Sequence, residues 1–151
     1  MKEINIVTKT TIFDAIDELP QAAQKVMNEA IKAKETAYAP YSKFKVGAAL
    51  LLENGKIITG NNQENAAYPS GMCAERVAVW KAASTYPNVK IKMLAISASS
   101  ATQQLTEPVA PCGACRQTLS EYEIVQKNNI EVYFMGETGK VVKTNAVLDL
   151  L

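Results

Sequence analysis

Every cysteine of the 151-residue chain lies in one of two short segments, and the chain contains no histidine. The first segment, residues 73–76, reads Cys-Ala-Glu-Arg, and the second, residues 111–116, reads Pro-Cys-Gly-Ala-Cys-Arg. A catalytic zinc ion takes three protein ligands and keeps a fourth position open, whereas a structural zinc ion is usually closed by four. Three cysteines without another soft ligand therefore predict one open zinc site, and a fold that brings the two segments together.

Both segments are predicted to begin a helix. Cys112 and Cys115 are three residues apart, so their side chains lie on one face at the start of a helix, and Pro111 suits the position before it. Cys73 likewise precedes an alanine-rich segment, residues 74–83. The free N–H groups and the positive dipole end of a helix N-terminus stabilise thiolate, the form of cysteine that binds metal. We therefore expect all three sulfurs at helix N-termini.

Glu75 follows Cys73 by two residues, close enough to reach over the metal without being an obvious ligand. This arrangement resembles that of the zinc deaminases of cytosine or adenine, in which a glutamate moves protons without binding zinc. A Cys-x-x-Cys pair alone is also typical of a redox pair or of half a structural site, and a buried lone cysteine is usually inert. The upstream Cys-x-Glu and the proline before the pair favour the catalytic interpretation.

The composition is that of an ordinary globular protein, with 48% hydrophobic and 21% charged residues. Because 16 basic residues balance 15 acidic ones and no basic stripe stands out, we expect no binding to nucleic acid. The longest apolar run, residues 46–52, is too short to span a membrane, and the N-terminus lacks the apolar core of a signal peptide. We expect one cytoplasmic domain over residues 1–151 that binds no membrane.

The chain before the first cysteine segment is predicted to form a helix and a hairpin, after a possible extra strand or arm within residues 1–11. The helix begins at Pro20 and runs to about Tyr38, and its apolar repeat ends with the stem of Lys34. The charged cluster of Lys32, Lys34 and Glu35 is interpreted most simply as its solvated face. Asn54-Gly55 between the apolar runs 45–52 and 56–60 is typical of a hairpin turn.

Strands and helices alternate in the rest of the chain. Strands are predicted over residues 91–97, 130–135 and 140–143, and the second cysteine helix over residues 113–127. Residues 145–151 resemble the start of a last helix with Asn145 as its cap. This alternation predicts an α/β fold with three layers, α/β/α, around a mixed central sheet.

Four blocks of residues together resemble the small, homotetrameric type of cytidine deaminase, over nearly the whole chain. They are residues 38–49 (Tyr-Ala-Pro-Tyr-Ser-Lys-Phe-Lys-Val-Gly-Ala-Ala), 62–69 (Asn-Gln-Glu-Asn-Ala-Ala-Tyr-Pro), 73–76 and 111–117. The resemblance implies a cytidine-deaminase-like fold, one zinc ion per subunit and a homotetramer with sites at subunit interfaces. It implies hydrolysis of cytidine and deoxycytidine to the uracil nucleosides and ammonia, as in pyrimidine salvage.

The resemblance also assigns roles to residues. Cys73, Cys112 and Cys115 match the zinc ligands of the family, and Glu75 matches its proton shuttle. Among the substrate contacts of the family, Phe44 matches the aromatic residue that packs on the pyrimidine ring, and Ala74 matches the residue whose backbone contacts the base. Asn62 and Glu64 match the pair that holds the ribose 3′-hydroxyl. Tyr68 matches the position at which a neighbouring subunit's site is completed. Without the resemblance, Asn62 and Glu64 would be taken for a polar loop that caps its own backbone.

Two arginines have a physical reason to lie near the sulfurs. A zinc ion with three thiolates carries a net charge of −1, which weakens it as a Lewis acid, and donors to the sulfurs withdraw that charge. The resemblance assigns this role to Arg76 and extends it to Arg116. The alternative is two surface arginines on helix faces.

Competing functions remain at this point. A deaminase of another aminopyrimidine nucleoside, such as blasticidin S, shares the zinc motifs, although Asn62 and Glu64 favour cytidine. An RNA- or DNA-editing deaminase typically has histidine as its first ligand and a basic channel, which are both lacking here. A non-enzymatic zinc module leaves Glu75 without a role. The family commonly has an aromatic residue after a Leu-Leu-Pro segment, and this sequence stops at Leu150-Leu151. Either the sequence is truncated, or the base is held by fewer aromatic contacts.

Overall fold

Six β-strands form one mixed sheet in a computed structural model that describes residues 1–151. The strands are β1 (Thr10–Phe13), β2 (Phe44–Leu52), β3 (Ile57–Asn61), β4 (Ile91–Ser100), β5 (Glu131–Met135) and β6 (Val141–Thr144). Their order across the sheet is β1-β6-β5-β4-β2-β3. All neighbours are antiparallel except β4 and β5, which are parallel and therefore need a crossover connection between them. The predicted mixed sheet is confirmed.

Helices cover both faces of this sheet. They are α1 (Gln21–Glu35), α2 (Ala74–Thr85) and α3 (Gly113–Gln126). On one face Met27 of α1 shares a core with Met93 of β4, and on the other Val79 of α2 shares a second core with Leu94. Successive strand residues point to opposite faces, so β4 feeds both cores and the three-layer α/β/α prediction is confirmed. None of the helices combines the length and the apolar character that a membrane crossing requires.

Two glycines let helices lie unusually close to the sheet. A Cβ atom on Gly47 of β2 would lie 2.0 Å from the Ala30 carbonyl oxygen of α1. A Cβ atom on Gly60 of β3 would lie 2.5 Å from the Ala78 nitrogen of α2. These backbone contacts leave no room for a side chain, so each glycine sets the depth at which its helix packs.

The predicted hairpin and helix starts agree with the structure. Asn54-Gly55 joins β2 to β3, and Gly55 has the positive φ, +80°, that such turns require. Helix α1 begins at Gln21, with Pro20 just before it rather than as its first residue, and it ends at Glu35, before the predicted end near Tyr38. At the N-terminus the strand begins only at Thr10, and it pairs antiparallel with β6.

The prediction that Lys34 lies on a solvated face is wrong. Lys34 is 4% exposed, and its Nζ donates to the Ser97 hydroxyl at 3.2 Å, which in turn donates to the Gly136 carbonyl. Lys34 lies four residues after Ala30, so the helical period turns it toward the sheet. Burial lowers the pKa of its amine.

The predicted cap at Asn145 is also wrong. The C-terminal segment forms a short 3-10 helix over Leu148–Leu150, without a side-chain cap from Asn145. Instead, the buried Glu123 carboxylate of α3 accepts the N–H groups of Val147 at 2.8 Å and Leu148 at 3.0 Å. A long-range carboxylate thus does the work that a local cap was expected to do.

Substituting Gly60→Ala should destabilise the protein by about 1–3 kcal/mol, because the added methyl group collides with the α2 backbone. Denaturant unfolding of the variant measures this loss. Gly113→Ala is the matched control, since a Cβ atom there meets nothing within 4 Å. Equal midpoints for Gly60→Ala and the unsubstituted protein would show that α2 is not seated by this contact.

Candidate metal centre and substrate cleft

The topology of the sheet brings the two cysteine segments to one edge. Strands β3 and β4 are each antiparallel to β2, so they run in the same direction. Helix α2 follows β3 and helix α3 follows β4, and both therefore begin beyond the same edge of the sheet. Cys73 directly precedes α2, Cys112 directly precedes α3, and Cys115 lies in the first turn of α3.

The three sulfurs form a cluster whose dimensions fit a zinc ion. Their Sγ atoms all lie within 4.8 Å of one another, and those of Cys73 and Cys112 are 3.8 Å apart. Tetrahedral sulfur ligands at about 2.3 Å from zinc are about 3.8 Å from each other. Cys115 is buried and Cys112 is exposed, so the cluster is closed toward the core and open on one side. A three-sulfur set with an open side suits a catalytic zinc ion, as the sequence predicts.

Two thiols of this cluster have pKa values shifted in opposite directions. The hydrogen bond with Cys115, together with those from Arg76 and Cys112, lowers the pKa of Cys73 to about 5. The same bond, reinforced by burial, raises the pKa of Cys115. Metal ligands must be deprotonated, so a dication is the partner that allows all three sulfurs to become thiolates together.

Glu75 is placed beside the cluster on the first turn of α2. Its side chain is 4% exposed and lines the cleft next to the sulfurs. Burial raises the pKa of the carboxyl group, with the negative charge of Cys73 adding to the effect. A raised pKa brings a carboxyl group closer to the operating pH of a general acid and base. The position is the one that the sequence assigns to a proton shuttle.

Arg76 reaches the sulfurs, as predicted. Its Nη2 donates to Cys73 Sγ at 3.5 Å, and its guanidinium lies 6.0 Å from the centre of the Trp80 ring. Contact with Cys73 raises the pKa of Arg76, so the group remains a cation. The Nε atom is buried without a hydrogen-bond partner.

Arg116 differs from its expected position near the sulfurs. Its Nε donates to the Pro111 carbonyl at 2.8 Å and its Nη1 to the Leu150 carbonyl at 2.7 Å. It therefore fastens the backbone just before Cys112 to the C-terminal segment, and it neither donates to a sulfur nor sits as a free surface arginine. Its side chain follows the cluster in sequence but turns toward the chain end.

A cleft of about 800 Å³ opens beside the sulfurs and Glu75. It brings together all of the residues that the sequence analysis assigned to substrate, namely Phe44, Asn62, Glu64, Tyr68 and Ala74. Apolar side chains such as Ile96 and Val109 add to its walls and were not anticipated, because their sequence context is that of ordinary core and loop residues.

Asn62 holds strand β2 through both ends of its amide. Its Nδ2 donates to the Phe44 carbonyl at 2.9 Å, and its Oδ1 accepts the Val46 N–H at 2.8 Å. Asn62 therefore holds nearby backbone, as a polar loop residue would. The backbone that it holds belongs to Phe44, the residue predicted to pack on the pyrimidine ring.

Glu64 holds the loop that leads into β2. Its Oε2 accepts the N–H groups of Tyr41 at 2.9 Å and Ser42 at 3.3 Å, and its Oε1 accepts the Ser42 hydroxyl. The Ser42 hydroxyl is the first cause of a lowered pKa at Glu64, so this carboxylate is ionised. Sequence reasoning missed Ser42 as a contributor, although Ser-x-Phe, with a hydroxyl two residues before an N–H, is a turn signal.

Backbone pairing connects the Asn62–Glu64 segment to the metal ligands. On one side Tyr38 N–H donates to the Asn62 carbonyl at 3.0 Å, and on the other Gln63 and Met72 exchange two bonds of 2.9 and 2.8 Å. Met72 directly precedes Cys73, so this narrow ladder sets the distance between the polar loop and the sulfurs. Single-residue bridges of this kind leave no pattern in the sequence.

Tyrosines form the outer rim of the cleft. Tyr68 is 90% exposed, and Tyr41 is also exposed. Both side chains line the cleft. The tyrosines therefore give the cleft an exposed aromatic border.

The comparisons with known proteins agree with this geometry. Residues 20–130 match the sequence family described as the cytidine and deoxycytidylate deaminase zinc-binding region. A cytidine deaminase of Sporosarcina psychrophila is 44% identical over 121 residues, 80% of this chain and 82% of the relative. One from Halalkalibacterium halodurans is 48% identical over 98 residues, 65% of this chain and 70% of the relative. The crystal structure of cytidine deaminase from Burkholderia pseudomallei superposes with a TM-score of 0.73 at 40% identity, covering 84% of this chain and 94% of that one.

The different contacts of the two arginines predict different behaviour in the cobalt-loaded protein. Arg76→Gln should move the thiolate-to-cobalt charge-transfer band to longer wavelength, because a sulfur that loses its cationic donor gives up electrons more easily. Arg116→Gln is the matched control and should leave the band in place while lowering the thermal midpoint, because only backbone contacts are lost. A band that moves equally in both variants would contradict the assignment.

Proposed function

The chain belongs to the family of cytidine and deoxycytidylate deaminases, and we propose that it hydrolyses cytidine and deoxycytidine to uridine and deoxyuridine with release of ammonia. The observation that carries this function is the three-cysteine cluster with the buried Glu75 carboxyl group beside it, at the end of a nucleoside-sized cleft. Each turnover consumes one water molecule, which supplies the new carbonyl oxygen of the base. The chain is a zinc-dependent enzyme.

Cys73, Cys112 and Cys115 would hold the metal, and their single cluster of three sulfurs supports the proposal of one zinc ion per subunit. When bound there, zinc acts as a Lewis acid that lowers the pKa of a coordinated water molecule. Arg76 withdraws charge from the Cys73 sulfur, which offsets the effect of three anionic ligands on that acidity.

Glu75 moves the protons of the reaction. Its carboxylate takes a proton from the attacking water and delivers it to N3 of the pyrimidine, which makes C4 more electrophilic. After the water oxygen bonds to C4, Glu75 takes the second proton from the new C4 hydroxyl group and transfers it to the amino group. The C4–N bond then breaks, ammonia leaves, and the C4 oxygen becomes the carbonyl of the uracil base. One group that both accepts and donates needs a pKa raised toward neutrality, and burial provides this.

The cleft places the nucleoside against these groups. Phe44 packs on the pyrimidine ring, the backbone of Ala74 contacts the base, and Asn62 and Glu64 hold the ribose 3′-hydroxyl. The lining of the cleft by all four residues supports this placement.

We also propose that the chain folds as one domain over residues 1–151 and acts in the cytoplasm, in pyrimidine salvage, as a homotetramer in which Tyr68 completes a neighbouring site. The exposed tyrosine rim supports an assembly that covers the mouth of the cleft.

The purified, zinc-replete protein should convert cytidine to uridine, followed by the change in ultraviolet absorbance. Glu75→Gln should lower turnover by roughly 10²–10⁴-fold or more, because the proton shuttle is lost, while the measured zinc content stays the same. Glu121→Gln, on the exposed face of α3, is the matched control and should remain active. Full activity in Glu75→Gln, or conversion of blasticidin S without conversion of cytidine, would contradict the proposal.

The proposed assembly predicts a particle of four chains. Light scattering after size exclusion should give four times the 16.4 kDa mass of the chain. Tyr68→Ser should lower activity, because the side chain acts in the site of a neighbour. A particle with the mass of one chain and full activity would refute both statements.

A further inference from the structure

The hydroxyl group of Ser42 bridges two parts of the cleft that are assigned to different halves of the substrate. It donates to Oε1 of Glu64, and it accepts the Phe44 N–H at 3.0 Å. Glu64 is assigned to the sugar and Phe44 to the base. A single hydroxyl therefore connects the two recognition elements.

The bonds to Glu64 leave room for one more donor. Oε2 takes two N–H groups, from Tyr41 and Ser42, while Oε1 takes only the Ser42 hydroxyl. A carboxylate accepts about four hydrogen bonds and, when ionised, donates none. Glu64 lines the cleft, so the group that it takes from a ligand has to be a donor such as a sugar hydroxyl.

Ser42 is also what fixes the direction of Oε1. The two N–H groups hold the other oxygen, Oε2, and leave the plane of the carboxylate free to turn about it. The Ser42 hydroxyl removes this freedom. The turn itself is unusual, because Lys43 adopts a positive φ of 57°, and the bond from Phe44 N–H to the Ser42 hydroxyl closes it.

We propose that Ser42 is a positioning residue that determines sugar specificity: its hydroxyl aims Glu64 at the 3′-hydroxyl of the substrate and so favours nucleosides that carry this group. The inference rests on the proposed deaminase function. Ser42 reaches the sugar through Glu64, whereas its bond to Phe44 involves only an exposed backbone N–H, which water can satisfy after the hydroxyl is removed. Its removal should therefore weaken binding of the sugar and leave the chemistry at the base unaffected. A purely structural role would affect every substrate alike.

The test compares deoxycytidine with 2′,3′-dideoxycytidine, which differ only in the 3′-hydroxyl. Ser42→Ala should raise KM for deoxycytidine roughly three- to tenfold, the effect of losing one hydrogen bond and the preorganisation that it gives. It should leave kcat for deoxycytidine and KM for the dideoxy compound close to their original values. Ser42→Thr, which keeps the hydroxyl, should restore the preference.

Ser84→Ala is the matched control, because the Ser84 hydroxyl bonds only to its own helix, at the Lys81 carbonyl. Zinc content and thermal midpoints of all variants are measured alongside. An equal rise in KM for both substrates, or no rise for either, would overturn the role of Ser42 while leaving the deaminase function intact. An unsubstituted, zinc-replete protein that converts neither compound would overturn the function and this inference with it.

Discussion

Three sulfurs that must all become anions within 4.8 Å of one another are the constraint on which this structure depends. Their mutual repulsion is offset only where positive charge converges, and the chain supplies it from two helix N-termini and from Arg76. The sheet topology brings these helix ends together, because β3 and β4 run in the same direction and a helix that starts at a cysteine follows each of them. A dication then completes the charge balance that the protein leaves at about −2 for three thiolates and one guanidinium.

In the polar loop, the two side chains that we propose bind the sugar also hold the backbone. Asn62 uses about half of its hydrogen-bonding capacity on β2, and Glu64 uses about three of its four acceptor sites on the loop before β2. An amide has two protons and about two acceptor sites, and a carboxylate has about four, so neither residue is exhausted by these bonds. The bonds to the backbone fix the direction of the donor and acceptor sites that are still free. These free sites lie in the cleft, so a ligand that bonds to them would not have to order the loop.

Local patterns predicted the elements well, and long-range contacts account for the errors. The hairpin at Asn54-Gly55 and the helices that open at the cysteines follow from turn chemistry and spacing that lie within a few residues. Lys34 was misjudged because its partner Ser97 is distant in the chain. Asn145 was misjudged because the N–H groups that it was expected to cap bond to the distant Glu123. The metal ligands were predictable because chemistry restricts them to few residue types. The bridge between Gln63 and Met72 was not predictable, because its hydrogen bonds join backbone atoms and do not depend on side-chain type.

The depth of helix α2 connects this packing to the chemistry. Gly60 lets α2 lie against the bare backbone of β3, and this close seat carries the first turn of the helix, with Glu75, below the surface. Burial is the first cause of the raised pKa of Glu75, so deeper packing of the helix raises the proton affinity of this carboxyl group. Cys73 and Arg76 belong to the same helix end, and their distances to Cys112 and Cys115 depend on the same seat. A contact between two backbones, Gly60 against Ala74 and Ala78, therefore influences both the burial of Glu75 and the position of the cysteine that precedes α2.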